Sequence, residues 1–129
     1  MTAEVRDPQL LKGVLPMLVL ALLTERESYG YELVTRLRAD GLSDMATGTV
    51  YPVLTRLERE GQVASRLVAS SSGPARKYYV PTVRGTAELA RAERSWFELT
   101  RTVVATLDRA TAACAPSDRP IEPIPEEHP

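Results

Sequence analysis

Cysteine and histidine, the residues that most often carry chemistry, are nearly missing: the 129-residue chain has one of each, Cys114 and His128. A lone cysteine excludes an internal disulfide, and with no second Cys or nearby His there is no metal-ligand spacing. Cys114 reads as a spectator. Hydrolytic and metal-dependent mechanisms lose their usual base and ligands, because the one imidazole stands next to last in the chain. The GxSxG, HExxH, GxGxxG and Walker patterns are absent, and the acidic residues are scattered over amphipathic stretches where solvation explains them. The sequence therefore predicts no enzyme, no cofactor and no metal. Long apolar runs are lacking too. The longest, residues 17–23, is too short to cross a bilayer, and MTAEVRDPQ has neither the basic start nor the apolar centre of a signal peptide. A soluble cytoplasmic protein with no membrane partner is expected.

What is present suits one folded domain of ordinary composition, with 43% hydrophobic and 26% charged residues, so global disorder is excluded. The net charge of −1 conceals an uneven distribution. Residues 116–129 hold Asp118, Glu122, Glu126 and Glu127 against Arg119 alone. Residues 47–85 hold Arg56, Arg59, Arg66, Arg76, Lys77 and Arg84 against only Glu58 and Glu60. A local positive face of this kind is what phosphate binding requires.

Along the chain, LLKGVLPMLVLALLTE reads as a buried helix broken near Gly13 and Pro16, giving a short turn over 8–14 and a regular helix over 16–24. Ser28 is expected to cap a second helix whose apolar face is Leu33, Val34 and Leu37 and which ends before Gly41. Pro52 is placed in the first turn of a third helix, capped by Thr49, with Val53, Leu54 and Leu57 facing the core and Gly61 ending it. VASRLVAS and RKYYV flank the turn SSSGPA as two strands, with Tyr78 and Tyr79 on opposite faces, one in the core and one exposed. Thr82 caps a last helix reaching about residue 112. On it Leu89, Trp96, Val103 and Ala110 recur at heptad spacing, joined by Ala92 and Leu99 and widened by Phe97, Val104 and Leu107, a seam that needs a partner. The fold class is mainly α with a small two-stranded β-wing. It is organised as a winged helix-turn-helix over 8–81, a dimerisation helix over 82–113 and a disordered, Pro-rich acidic tail over 114–129.

Three segments, YGYEL, GTVYPVLTRLEREG and RKYYVPTVRG, closely resemble the PadR family of bacterial transcriptional regulators, whose shared signatures are YGYEL, GTxYPxLxRLExxG and RKYYxxTxxG. The resemblance covers roughly residues 10–107. It implies a homodimeric, ligand-responsive repressor acting near its own gene or near a neighbouring transporter or catabolic gene. In some relatives a cavity at the dimer interface, with an aromatic on the last helix, takes flat aromatic compounds. The resemblance thus points to a small aromatic effector at Ala92, Trp96 and Leu99. The long Pro-rich tail and Pro16 depart from that pattern, so effector identity does not transfer.

Double-stranded DNA is the expected partner, with the start of the third helix in the major groove. Thr47, Thr49 and Tyr51 are the first candidate contacts, Arg56 and Tyr29 reach the backbone, and Arg66, Arg76 and Lys77 serve the wing. Structural readings stand beside these. Thr49 can be only a helix cap, Tyr51 can pack against the helix above it, Tyr31 is expected in the core, and Trp96 can be only a packing anchor. The dimer interface is assigned to Leu89, Trp96, Leu99 and Val103, on a near-palindromic operator. The rival reading is a winged-helix module that binds another protein, for which the positive segment over 47–85 would be unnecessary.

Overall fold

The structure is a computed structural model that describes residues 8–114; the expectations for the tail beyond Cys114, His128 included, lie outside the described residues. Its first helix, α1 (Pro8–Glu25), runs through Pro16 without the expected break. Pro16 removes one helical hydrogen bond and crowds the carbonyl four residues back, a penalty of about 3 kcal/mol. Leu15, Val19, Leu20 and Leu23 are all buried on one face, and each such side chain contributes about 1.5–3 kcal/mol. Burial outweighs the proline. By length and composition α1 could cross a membrane, yet this face is the centre of the apolar core, packed with Leu33, Leu37, Leu54 and Leu57.

After α1, Ser28 and Tyr29 form a two-residue strand, β1 (Ser28–Tyr29), that was not anticipated. Ser28 is therefore not a helix cap. The N-cap of α2 (Gly30–Ala39) is Tyr29, which makes no side-chain capping bond, and Ser28 is fully buried with its Oγ accepting from Arg36 Nη1 at 2.8 Å. Leu33, Val34 and Leu37 face inward as expected. Tyr31 does not: it is 51% exposed, because two residues before Leu33 it lies about 200° round the helix. The helix closes at Gly41, φ 117°, with Leu42 N bonded to Leu37 O and Gly41 N to Arg38 O, the paired closure that favours glycine.

The third helix, α3 (Thr47–Arg59), starts two residues before its expected cap. Ala46 is the N-cap and no side chain caps it, so Thr49 has no capping role, and Pro52 falls in the second turn. Val50, Leu54 and Leu57 are buried, with Val53 packed at their edge. Gly61, φ 75°, ends α3 by the same closure, Gln62 N bonding Leu57 O at 2.8 Å.

The wing strands β2 (Val63–Ser70) and β3 (Gly73–Pro81) pair antiparallel, and β1 adds to β3 to give a three-stranded sheet in the order β1-β3-β2. Only Ser71 and Ser72 separate β2 from β3, a tighter turn than SSSGPA suggested. Register places Ser65 opposite Tyr79 and Arg66 opposite Tyr78, so alternation puts Ser65, Lys77 and Tyr79 on one face and Arg66, Arg76 and Tyr78 on the other. Tyr79 packs against the core. Tyr78 is half-buried rather than exposed, since its ring meets Tyr29 edge to face at 5.2 Å.

Thr82 caps α4 (Val83–Ala113) as expected: Gly85 N donates to Thr82 Oγ1 at 3.0 Å. The same hydroxyl donates to Gly61 O at 2.6 Å, and Thr82 N bonds Gln62 O at 3.0 Å. The chain divides into two compact units, one ending at Arg94 and the other beginning at Ser95. Everything above belongs to the first, including Leu89, which packs against the core. In the second, the large apolar side chains Trp96, Phe97, Leu99, Val103, Val104 and Leu107 are between 42% and 58% exposed.

Gly85 fixes how α4 begins, because a Cβ there would lie 1.9 Å from the Gln62 carbonyl oxygen, a backbone atom that cannot rotate away. Gly85→Ala is expected to destabilise the first unit by about 3 kcal/mol, the upper end for overpacking. A lower urea midpoint at unchanged slope is the expected result, and an unchanged midpoint would refute the contact.

Candidate nucleic-acid interface

Thr47, Thr49 and Tyr51 lie exposed on the N-terminal half of α3. Tyr51 is 47% exposed and also in contact, since its ring atoms Cε1 and Cζ lie 2.6 and 2.7 Å from where a Cβ on Gly30 would be. Packing and outward presentation therefore hold together: the first residue of α2 has no side chain, and the tyrosine ring lies over the space. The sequence named Tyr51 but gave no sign that Gly30 seats it.

Three of the candidate cations, Lys77 and Arg66 in the wing and Arg56 on α3, are already ion-paired. Lys77 Nζ meets Glu58 Oε1 at 3.1 Å, and Ser65 Oγ donates to Glu58 Oε2 at 2.7 Å, so one carboxylate of α3 holds both wing strands. Arg66 pairs with Glu27 just before β1, and Arg56 with Glu60 at 3.4 Å one helical turn on. Arg76 stacks over the Tyr29 ring at 4.5 Å. Tyr29, Arg66 and Arg76 thus gather with Tyr78 on the outer face of the sheet, and Lys77 lies on the inner one. Glu27, Glu58 and Ser65 were not singled out beforehand, because each meets its partner only through tertiary folding.

Electrostatics follow the geometry. The hydrogen bond from Ser65, then the one from Lys77, hold the Glu58 carboxyl below its ordinary value. Glu58 in turn raises the Lys77 ammonium, and burial pushes the Tyr79 phenol up although Lys77 opposes it. On α4, Ala92 is half-buried in the first unit, and Trp96, Leu99 and Val103 are exposed in the second. Among the described residues no cluster of His, Cys, Asp or Glu could hold a metal ion.

Because Glu58 binds its proton less tightly folded than unfolded, its stabilisation is complete above the ordinary carboxylate value of 4.5 and fades as pH falls through the lower folded value. Glu58→Gln should cost about 0.5–1 kcal/mol at pH 7, the scale of a surface pair. Thermal unfolding of both proteins should show that gap closing as the pH drops below the carboxylate range. A gap that does not change with pH would mean that the carboxylate charge plays no part.

The sequence profile of the Transcriptional regulator PadR-like family matches residues 19–91, from within α1 to the first part of α4. An uncharacterized protein of Lysinibacillus sphaericus is 30% identical over 92 residues, 70% of this chain and 84% of that one. Among solved structures, a PadR-like transcriptional regulator from Bacillus cereus is 40% identical with a TM-score of 0.69, covering 77% of this chain and 96% of its own. A PadR family transcriptional regulator from Eggerthella lenta is 38% identical with a TM-score of 0.71 over 77% and 86%. A Streptococcus transcriptional regulator is 36% identical with a TM-score of 0.70 over 78% and 98%. With the signature segments on α2, α3 and the wing, and the profile spanning all of them, this chain belongs to the PadR-like family of transcriptional regulators.

Proposed function

We propose that this regulator is a homodimeric, ligand-responsive repressor that works in the cytoplasm and binds a near-palindromic operator. The observation that carries the DNA reading is that Thr47, Thr49 and Tyr51 are all exposed in the first turns of α3, Thr47 and Tyr51 on one side and Thr49 on another, with Arg66, Arg76 and Lys77 on the wing. In this reading the N-terminal half of α3 enters the major groove, Tyr29 and Arg56 reach the backbone, and the wing cations neutralise flanking phosphates. Their internal ion pairs do not oppose this. Exposed pairs contribute about 0–1 kcal/mol, so a phosphate can replace Glu27 or Glu58 at little cost.

Fluorescence anisotropy on the DNA upstream of the chain's own gene and on a random duplex tests the reading. Tyr51→Ala should cost the upstream duplex about 1–3 kcal/mol, and Gly30→Ala should act in the same direction by displacing the ring. Lys77→Ala and Arg76→Ala should weaken both duplexes and each flatten the salt slope by about 1. Equal, salt-independent affinity for the two duplexes would sink it.

Dimerisation is supported by the apolar stripe from Trp96 to Leu107, which one copy leaves in water. A second copy covering Trp96, Leu99 and Val103 places two recognition helices about one DNA turn, or a small multiple, apart. Leu89, engaged with the core of its own unit, contributes less to this seam. A planar aromatic effector is proposed to stack on Trp96 beside Leu99 and Ala92 and to release the operator. Leu99→Lys combined with Val103→Lys should give a monomer by sedimentation at concentrations where the unmodified chain is a dimer. A monomeric unmodified chain would remove both the seam and the operator symmetry.

A further inference from the structure

The first unit contains a cavity of about 570 Å³ between the N-terminal half of α1, the α2–α3 loop and the start of α3, within the ~300–1,000 Å³ range of small-ligand sites. Leu11, Leu15, Met45 and Val53 supply its apolar wall. Pro16 and Pro52 also line it, and so do Lys12 and Gly48, the residues four positions before each proline. A proline has no amide hydrogen, so the carbonyls of Lys12 and Gly48 both lack their i+4 donor. Two helices thus each place beside one cavity a residue whose carbonyl has no i+4 donor.

The charged groups complete a pattern. Asp44 lines the cavity without an ion pair among the described residues, as does the Lys12 ammonium, and Arg56 lies beside them. Gly48 has no positive φ, and a Cβ there would meet nothing within 4 Å. Neither strain nor packing calls for a glycine at that position, although glycine is a poorer helix former than alanine. Its bare backbone keeps the wall open.

We propose that this cavity is a binding site for an apolar amino acid. The ammonium of such a ligand pairs with Asp44 and donates to the carbonyls of Lys12 and Gly48. Its carboxylate pairs with Lys12 and Arg56, and its side chain lies on Leu11, Leu15, Met45 and Val53. A simple anion would leave Asp44 and two acceptors facing it, and a simple cation would leave Lys12 facing it; a zwitterion satisfies both signs. The site is lined only by residues of the first unit, and Trp96 and Leu99 are not among them. It shares Thr49 and Arg56 with the proposed DNA surface, whereas Asp44 and Lys12 have no part in that surface and test the site apart from DNA binding.

The test titrates L-leucine into the ¹⁵N-labelled full chain and follows the amides of Asp44, Gly48 and Thr49. Saturable shifts centred there are expected. Isovalerate, which lacks the ammonium, and isoamylamine, which lacks the carboxylate, should each bind at least about tenfold more weakly, the factor for losing one charge-assisted contact. Asp44→Asn should weaken leucine while tightening isovalerate, and Lys12→Gln should weaken leucine while tightening isoamylamine, because each removes a like charge that faces the truncated ligand. Gly48→Ala should raise the melting temperature while lowering leucine affinity, a pair of changes that a purely structural glycine would not give. Absence of shifts with leucine near 10 mM, about ten times a millimolar Kd, would overturn the proposal. So would isovalerate or isoamylamine binding as tightly as leucine.

Discussion

The placement of the wing depends on one buried guanidinium. Arg36 is only 10% exposed; it donates to Ser28 Oγ at 2.8 Å and to Arg26 O at 3.4 Å, and pairs with Glu25 at 2.7 Å. Burying a charge is costly unless it is paired and hydrogen-bonded, and Arg36 meets both conditions by gathering the end of α1, β1 and its own helix. A two-residue strand has too few ladder bonds to stand alone. What holds β1 is that Ser28 is fully buried and that its hydroxyl has this one side-chain partner. Because Ser28 and Tyr29 pair with Tyr79 and Tyr78, the strand carrying Arg76 and Lys77 takes its position from Arg36.

Two carboxylates then set the rest of the wing. Glu58 reaches from α3 to Ser65 and Lys77, and Glu27 reaches from the turn before β1 to Arg66. Both are acids among cations, which looks wasteful in a surface read as binding phosphate. Each holds a long side chain in one arrangement before a ligand arrives, so part of the ordering cost, about 1.5–2 kcal/mol for a Lys or Arg, is met on folding. The exposed pairing that replaces it is weak enough to exchange. The local excess of positive charge is therefore less free than a count of residues suggests.

Much of this was legible in the sequence, and the parts that were not share a cause. Gly41 and Gly61 marked the helix ends because positive φ is a local demand, and Thr82 marked the start of α4 because a cap is local too. The two wing strands followed from alternation and the intervening turn. Pro16 misled, since the local rule charges the helix for a proline but cannot see Leu15, Val19, Leu20 and Leu23 entering one core. Ser28 looked like a cap for the same reason; its role as a buried strand residue exists only when Tyr79, fifty-one positions later, is beside it. Tyr31, expected in the core at the start of the second helix, is turned outward by its spacing to Leu33. Gly30, Glu27 and Glu58, the internal partners of Tyr51, Arg66 and Lys77, were not named, because no period or spacing encodes a contact between elements.

Close contacts at glycines also hold α3 at both ends. Near its start, Tyr51 lies on the bare backbone of Gly30; at its end, Gly61 O accepts from Thr82 Oγ1 and Gln62 O from Thr82 N, with Gly85 in contact on the other side. Neither contact has slack. A Cβ at Gly30 meets an aromatic ring under 3 Å away, and one at Gly85 meets a carbonyl at 1.9 Å. Close-packed contacts of this kind do not deform continuously; they hold or they break. The first turn of α4 therefore cannot shift against the wing root without moving the C-terminal turn of α3, and α3 cannot rotate without lifting Tyr51 off α2. Side chains that glycine leaves out thus seat α3 against α2 at one end and against the start of α4 at the other, and with it the exposed Thr47, Thr49 and Tyr51.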